Sequence, residues 1–195
     1  MSNFIIIKKK INNFNKTISV SGDKSLSIRW VLISSLASGV SIAKNLLISE
    51  DVLAAINIIK KLGVKVSYNK FYCKIYGKGI NSYKYKKKLV LNAENSGTLG
   101  RLILGLIINT PHAIKLIGDK SLSKRDFRRI TEPLSKFGAE FKFKKKNGLP
   151  LIIKGSKNLT PIRYFENRGS AQCKSSIMFA GIRTFGKTII KAKKS

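Results

Sequence analysis

Three short stretches hold residues that could bind an anion together: "GDKSLSIR" (Gly22–Arg29), "NSGTLGR" (Asn95–Arg101) and "GSAQCKS" (Gly169–Ser175). Each is built of small polar residues, with a Lys or Arg about one turn further on, and each leads into an apolar run of helical length. A helix start has free N–H groups and a partial positive charge. Small residues let an anion come close to those donors, and hydroxyls and cations add charge-assisted bonds to phosphate. Taken singly, each feature is ordinary. Ser, Thr and Asp at a helix start are usually plain caps, Gly97 suits a turn, and a lone Lys24 or Arg29 suits solvent. Their recurrence in phase makes an anion cradle.

The elements that carry these stretches repeat. After an opening strand, "FIIIKKK", a helix is expected from about Ser25 to Ala37, ended by Gly39, then a strand over Ser41–Leu47. "SEDVLAAINIIKKLG" (Ser49–Gly63) reads as an amphipathic helix, with Ser49 as its cap, Glu50 and Asp51 at its positive end and Gly63 at its C-terminus. Two strands follow, "VKVSY" and "YCKIYG". The order then recurs: strand "KLVLN", helix "SGTLGRLILGLIIN", strand "AIKLIG", helix "KRDFRRITEPLSKFG" (Lys124–Gly138), and strands "AEFKFKK" and "LPLIIKG". A third round holds "IRYFE", helix "AQCKSSIMFAGI" and "KTIIKAKK". Arg29 to Arg101 is 72 residues, Gly63 to Gly138 is 75 and Gly77 to Gly155 is 78. Such a period marks a repeat architecture. The fold expected is α/β (α+β), in βαβαββ units sharing a core: about 17–80, about 88–157, and a truncated third at about 160–195. Residues 1–16 form an opening strand.

A second repeat is out of phase. "GDKSLSIR" (22–29) returns as "GDKSLSKR" (118–125), 96 residues on. Common descent of the units does not explain it. Shared local chemistry and chance in a lysine-rich chain are both open explanations.

The chain has 195 residues, 43% of them hydrophobic, and a formal charge of +30. Its 39 basic residues divide into 31 Lys and 8 Arg. They are scattered, apart from "YKYKKK" (Tyr83–Lys88) and "KFKKK" (Lys142–Lys146), and most read as compositional drift on solvated loops and edge strands. The longest apolar run, "LILGLII" (Leu102–Ile108), is short of a membrane span. The N-terminus has its apolar residues before its lysines, the reverse of a secretory signal. Cys73 and Cys173 have neither metal nor disulfide spacing, read as packing residues, and fit a cytoplasmic setting. The lone His112 follows a Thr-Pro turn and reads as a loop residue. No metal and no cofactor are expected.

At this point the sequence resembles the 5-enolpyruvylshikimate-3-phosphate synthase family. "SGDKSLSIRWVLISSLASGVSIAKNLLISEDVLAAINIIKKLGV" is similar to its Gly-x-Lys-Ser-x-Ser-x-Arg element and the later Ser-Glu-Asp helix. "NSGTLGRLILGLI" resembles its Asn-x-Gly-Thr-x-x-Arg signature, "IGDKSLSKRDFRRITEPLSKFGAE" its Gly-Asp-x-Ser-Leu-x-x-Arg-Pro segment, and "SAQCKSSIMFAGI" its Ser-Ala-Gln-x-Lys-Ser helix. The resemblance implies an inside-out α/β barrel of two domains. Residues 1–16 would belong to the other domain and residues 17–195 to a substrate-binding domain, as an N-terminal fragment inactive alone. It implies transfer of the enolpyruvyl group of phosphoenolpyruvate to the 5-hydroxyl of shikimate 3-phosphate, with release of phosphate. Lys24, Ser25, Arg29, Ser170, Ala171, Gln172 and Ser195 match positions on shikimate 3-phosphate. Lys24, Asn95, Gly97, Arg125 and Gln172 match the phosphoenolpyruvate side, where the family's inhibitor glyphosate competes. Both copies of the octapeptide would then belong to the site. No catalytic residue falls in this stretch, since the family's proton-transferring groups lie in its other half.

The sequence departs from the pattern at Ile28, where many bacterial members have His or Asn, at Glu94, where Gly is usual, and at Asp126, in place of a proline. The implied partners are the two small anionic substrates and a C-terminal domain, with no membrane and no specific nucleic acid. Two rival readings fit parts of the sequence. The sister transferase acting on UDP-N-acetylglucosamine has Lys-Asn where Lys24-Ser25 stand here, and a cysteine in the loop aligned with Ile117–Asp126, which here has none. A basic nucleic-acid-binding module would use aromatics interleaved with lysines, as at "YNKFYCKIYGK" (Tyr68–Lys78), a pattern that strand alternation also produces.

Overall fold

The computed structural model describes residues 6, 8, 13, 15–167 and 169–192. The first unit holds α1 (Lys24–Ser34), β1 (Ser38–Lys44), α2 (Glu50–Lys61), β2 (Lys65–Tyr68) and β3 (Tyr72–Lys78). The second holds β4 (Val90–Asn92), α3 (Gly97–Leu106), β5 (Ile114–Ile117), a 3-10 turn (Leu122–Lys124), α4 (Arg128–Ser135), β6 (Glu140–Phe143) and β7 (Leu151–Lys154). The third holds β8 (Arg163–Glu166), α5 (Ala171–Ile182) and β9 (Ile189–Ala192). The expected opening strand falls mostly outside the described residues.

Each unit keeps its own sheet: β1-β3-β2, β4-β5-β7-β6 and β8-β9. β4 pairs parallel to β5, and β8 parallel to β9. Residues 17–21 ahead of α1 form no strand, and among the described residues the first sheet has no parallel edge strand like that of the other two. Period-2 alternation aims one face of the second sheet inward, with Leu91, Leu116 and Leu151 at 0% exposure. The opposite row, Val90, Lys115 and Ile152 in register, reaches solvent.

The helices fill the interior. α2 buries Val52, Ala55, Ile56 and Ile59, the i, i+3, i+4, i+7 stripe of an amphipathic helix. Full burial of Ile56 or Ile59 contributes about 2 kcal/mol each. α3 is buried over nine consecutive residues, Thr98 to Leu106, as a central helix must be. It packs against α5, α1, α4 and α2. Its crossing with α5 is close: a Cβ on Gly105 would lie 2.0 Å from the Ser176 carbonyl oxygen. Helices inside and sheets outside make this the inside-out α/β arrangement.

The in-phase glycines have a common cause. Gly63 and Gly138 follow α2 and α4 at φ +89° and +104°, the left-handed conformation that ends a helix. Gly77 and Gly155 lie at the ends of β3 and β7, where a Cβ would come within 2.2 Å of Ala37 O and 2.4 Å of Thr110 N.

Two helix boundaries and one cap differ from expectation. α1 stops at Ser34, and Gly39 lies inside β1 rather than at the helix end. Ser49 stands at the start of α2, but its hydroxyl makes no capping bond. The helix expected over Lys124–Gly138 begins only at Arg128. The loop 147–149 causes this last difference. A continuous helix would bond the Phe127 N–H to the Ser123 carbonyl. Here Phe127 N donates to Asn147 O (2.9 Å), and Ser123 O accepts from Leu149 N (3.2 Å). Both halves of the helical bond are taken, and Arg125 is left extended at φ −75°, ψ 145°.

Candidate functional site

The in-phase helix starts are built alike. Asp23, Ser96 and Ser170 are the N-caps of α1, α3 and α5, and their side chains accept from Leu26 N, Leu99 N and Cys173 N at 2.7, 3.3 and 3.2 Å. Each cap therefore takes one first-turn N–H and leaves the two before it. Among the described residues, the amides of Gly97 and Thr98 have no acceptor.

The out-of-phase octapeptide has the same local chemistry at both sites. Asp119 Oδ1 accepts from Leu122 N (2.6 Å), as Asp23 does from Leu26 N. The first copy then runs on as α1, and the second stops after one 3-10 turn. Different members of the two copies consequently reach the same place: Lys24, third in its copy, and Arg125, eighth in its own.

That place is a cavity of about 570 Å³ lined by Lys24, Ser49, Glu50, Asp51, Asn95, Gly97, Thr98, Arg125 and Gln172. Five expected positions, Lys24, Asn95, Gly97, Arg125 and Gln172, thus share one wall-to-wall space drawn from α1, α3, α5 and the 118–125 turn. Arg29 lies outside this lining. Its guanidinium donates to Ser25 O (3.1 Å) and to Ser175 Oγ (3.4 Å), tying α1 to α5. Ser170 caps α5, and its own N–H donates to Glu166 Oε2 (2.9 Å); Ala171 opens the helix. Ser195 lies outside the described residues.

Expectation missed several contributors. Asp51 Oδ2 sits 2.9 Å from Lys24 Nζ, so the α1 cation has a carboxylate partner. Arg101 is 6% exposed, donates to Gln172 Oε1 at 2.5 Å, and keeps its Nε without an acceptor. Thr98 Oγ1 accepts from Gln172 Nε2 (3.1 Å), which orients the amide. The Ser49 hydroxyl is buried and unbonded at the cavity wall. Arg101 could have been singled out by its in-phase match to Arg29. Asp51 carried no such sign, because an acid in a first helical turn ordinarily serves the helix dipole.

The site's electrostatics favour an anion. Burial, with the Arg129 and Arg125 guanidiniums nearby, lowers the Arg101 pKa to about 10. Like charges are held together without enough counter-charge, and an anion between them relieves the repulsion. Gly97 lets this happen, since an ideal Cβ there would lie 2.7 Å from Arg125 Nη1 and 3.2 Å from Arg101 Nη1.

The three departures have structural reasons. Glu94 sits at φ +48°, a conformation that favours glycine. Its carboxylate is turned aside to accept from Asn92 Nδ2 (2.6 Å). Asp126 accepts from Arg128 N (2.8 Å) at the start of α4, and bonding to the Arg128 side chain holds its carboxyl below the usual range. Ile28 is fully buried in the core. Cys73 and Cys173 are both buried, and the Cys173 thiol donates to Arg129 O (3.3 Å). His112 is held in its loop by Tyr85, whose hydroxyl donates to His112 O (3.0 Å).

Comparison with known proteins gives a consistent result. A family model described as EPSP synthase (3-phosphoshikimate 1-carboxyvinyltransferase) matches residues 8–195. The 3-phosphoshikimate 1-carboxyvinyltransferase of Caldicellulosiruptor bescii is 42% identical over 185 residues, covering 94% of this chain and 42% of that protein. That of Ruthia magnifica is 41% identical over 192 residues, 98% of this chain and 43% of that protein. A solved EPSP synthase from Acinetobacter baumannii superposes with a TM-score of 0.85 at 32% identity, over 91% of this chain and 40% of that one. The chain spans less than half the length of these relatives.

Proposed function

This chain belongs to the EPSP synthase family, and from that premise we propose that its cavity binds the anionic substrates of enolpyruvyl transfer. The reaction joins the enolpyruvyl group of phosphoenolpyruvate to the 5-hydroxyl of shikimate 3-phosphate and releases phosphate. The observation that carries this reading is the convergence of Lys24, Arg125, Gln172 and the unbonded amides of Gly97 and Thr98 on one cavity, backed by the buried Arg101.

The chemistry explains why such a cavity is needed. Each substrate carries a phosphate and a carboxylate. Two unit charges at 4 Å repel by about 4 kcal/mol at an effective dielectric near 20. Lys24, Arg125 and Arg101 offset that repulsion and hold the reacting atoms near one another. Donors fixed before the ligand arrives need no reorganisation as charge develops. In this reading Asn95, Gly97 and Arg125 hold phosphoenolpyruvate. Ser25, Arg29, Ser170, Ala171 and Ser195 hold shikimate 3-phosphate, and Lys24 and Gln172 reach both. Residues 17–195 act as one substrate-binding domain, with residues 1–16 belonging to the other.

Proton transfer is assigned to groups outside these 195 residues, so the chain alone binds its ligands weakly and does not turn over. A cytoplasmic setting and a C-terminal domain as partner belong to the same proposal. Among the described residues, no helix is long and apolar enough to cross a membrane. The test is calorimetric. Shikimate 3-phosphate should raise the melting temperature of the chain, and Lys24→Ala or Arg29→Ala should remove the shift. A phosphate-release assay should read zero for the chain alone. No shift at millimolar shikimate 3-phosphate would overturn the binding proposal, and turnover by the isolated chain would overturn the assignment of proton transfer.

A further inference from the structure

The outer face of the first sheet is unexplained by the cavity. Antiparallel register sets Tyr76 of β3 between Val40 of β1 and Lys65 of β2, and Lys74 between Ile42 and Ser67. Tyr72, opposite Lys44, completes the row. These side chains share one face, because Cys73 and Ile75 alternate with them and are fully buried on the other. Val40 and Ile42 are 55% and 56% exposed, and Phe71, at the β2–β3 turn, is 69% exposed. The face is apolar and aromatic, yet it lies in solvent.

Its charge has one sign. Between Asp51 and Glu94 the sequence contains ten lysines and no acidic residue. The lysines lie on the rings: Lys74 Nζ is 4.8 Å from the Tyr72 centroid, Lys65 Nζ is 5.0 Å from that of Tyr76, and Lys70 Nζ is 4.9 Å from that of Phe71. Each ring thus has a lysine ammonium over it; Tyr72 and Tyr76 are half-buried in the sheet and Phe71 is exposed. Tyr72 and Tyr76 are four residues apart, about 13 Å along the strand, with a lysine between them.

We propose that the outer face of the β1-β3-β2 sheet binds single-stranded nucleic acid without sequence preference, its bases stacked on Tyr72 and Tyr76 and its phosphates on Lys44, Lys65 and Lys74. Aromatics on a small sheet, spaced along one strand and flanked by cations, provide stacking platforms for splayed bases and an electrostatic track for the backbone. A base displaces a lysine from a ring face, and the freed ammonium meets the adjoining phosphate. A duplex, with its bases already stacked, gains only the charge contacts. This surface is made of different residues from the cavity and does not depend on what the cavity binds.

The test is fluorescence anisotropy with a labelled 20-nucleotide oligo(dT) and a duplex of equal length, titrated with the 195-residue chain at several salt concentrations. The single strand should bind more tightly than the duplex. Tyr72→Ala/Tyr76→Ala should weaken it about tenfold or more at unchanged charge, and Tyr72→Phe/Tyr76→Phe should restore it. Lys44→Gln/Lys65→Gln/Lys74→Gln should reduce the slope of log K against log salt by about two. The charge-matched control Lys144→Gln/Lys145→Gln/Lys146→Gln, in the β6–β7 turn, should leave the difference between single strand and duplex intact. Circular dichroism checks that each variant is folded. Equal affinity for duplex and single strand, or full affinity in a folded Tyr72→Ala/Tyr76→Ala variant, would overturn the proposal and leave only diffuse attraction to any polyanion, including acidic vesicles.

Discussion

The ammonium of Lys24 lies 2.9 Å from Oδ2 of Asp51, so the cation that α1 presents to the cavity is already paired with the first turn of α2. The Lys24 side chain is 55% exposed, which makes this pair worth little to stability. Its weight is in binding, because an incoming anion must share Lys24 with a carboxylate.

Asp51→Asn should therefore tighten anion binding while slightly destabilising the fold. The loss at the positive end of α2 is about 0.5 kcal/mol. The gain, read as the melting-temperature rise per millimolar inorganic phosphate at low ionic strength, should correspond to about threefold tighter binding or more. Lys24→Gln should abolish the difference between the Asp51→Asn and parent proteins.

Gly97→Ala separates space from stability. The closest contact of the Cβ would be the end of the exposed Arg125 side chain, which can move, so the melting temperature should change by only a few degrees. The displaced Arg125 should no longer reach its former position, and affinity for phosphoenolpyruvate should fall about tenfold or more. Unchanged affinity in isothermal titration would remove Arg125 from the proposed site.

Glu94→Gly should stabilise the chain. Glu94 holds φ +48°, where a side chain is strained and glycine is not. Against this stands loss of the exposed hydrogen bond from Asn92 Nδ2. The net expectation is a gain of about 0.5–1 kcal/mol in urea unfolding. A loss in the same experiment would show the Asn92 contact to be the larger effect.

Tyr83 gives a pH dependence with a definite sign. Burial raises its phenol pKa above the ordinary value of 10.0, against the opposing influences of the Ser35 hydrogen bond and Arg183. Above pH 10 the unfolded chain releases this proton and the folded chain keeps it, so stability falls as pH rises. The contribution is fully present below the unfolded value and is lost through the raised folded one. Tyr83→Phe should flatten this alkaline fall. Its cost near neutral pH is about 1 kcal/mol, because the Ser35 hydroxyl keeps its bond to Leu32 O.

Much of this protein was legible before any coordinates. The 72- to 78-residue spacings matched the first stretch of chain to the second, because a helix end at Gly63 or Gly138 and a close approach at Gly77 or Gly155 demand glycine at both. The α5 boundaries, Ala171–Ile182, are those expected from the apolar run after Ser170. Small polar residues before a cation marked the three capped helix starts. These are local properties, settled by caps, turns and periodicity within one stretch of chain.

Tertiary structure decided what long-range contacts control. The helix expected from Lys124 was cut back to Arg128 because the loop 147–149 took its backbone partners, and the same contact turned Arg125 toward the cavity. Asp51 became the partner of Lys24, and Gln172 that of Arg101, across separations that no local pattern records. The aromatic and lysine alternation near Tyr72 became a continuous exposed face only when β1 and β2 paired on either side of β3. Residue types state which chemistry a chain can do. Where those groups meet depends on backbone hydrogen bonds and packing between residues distant in sequence, and folding alone settles that competition.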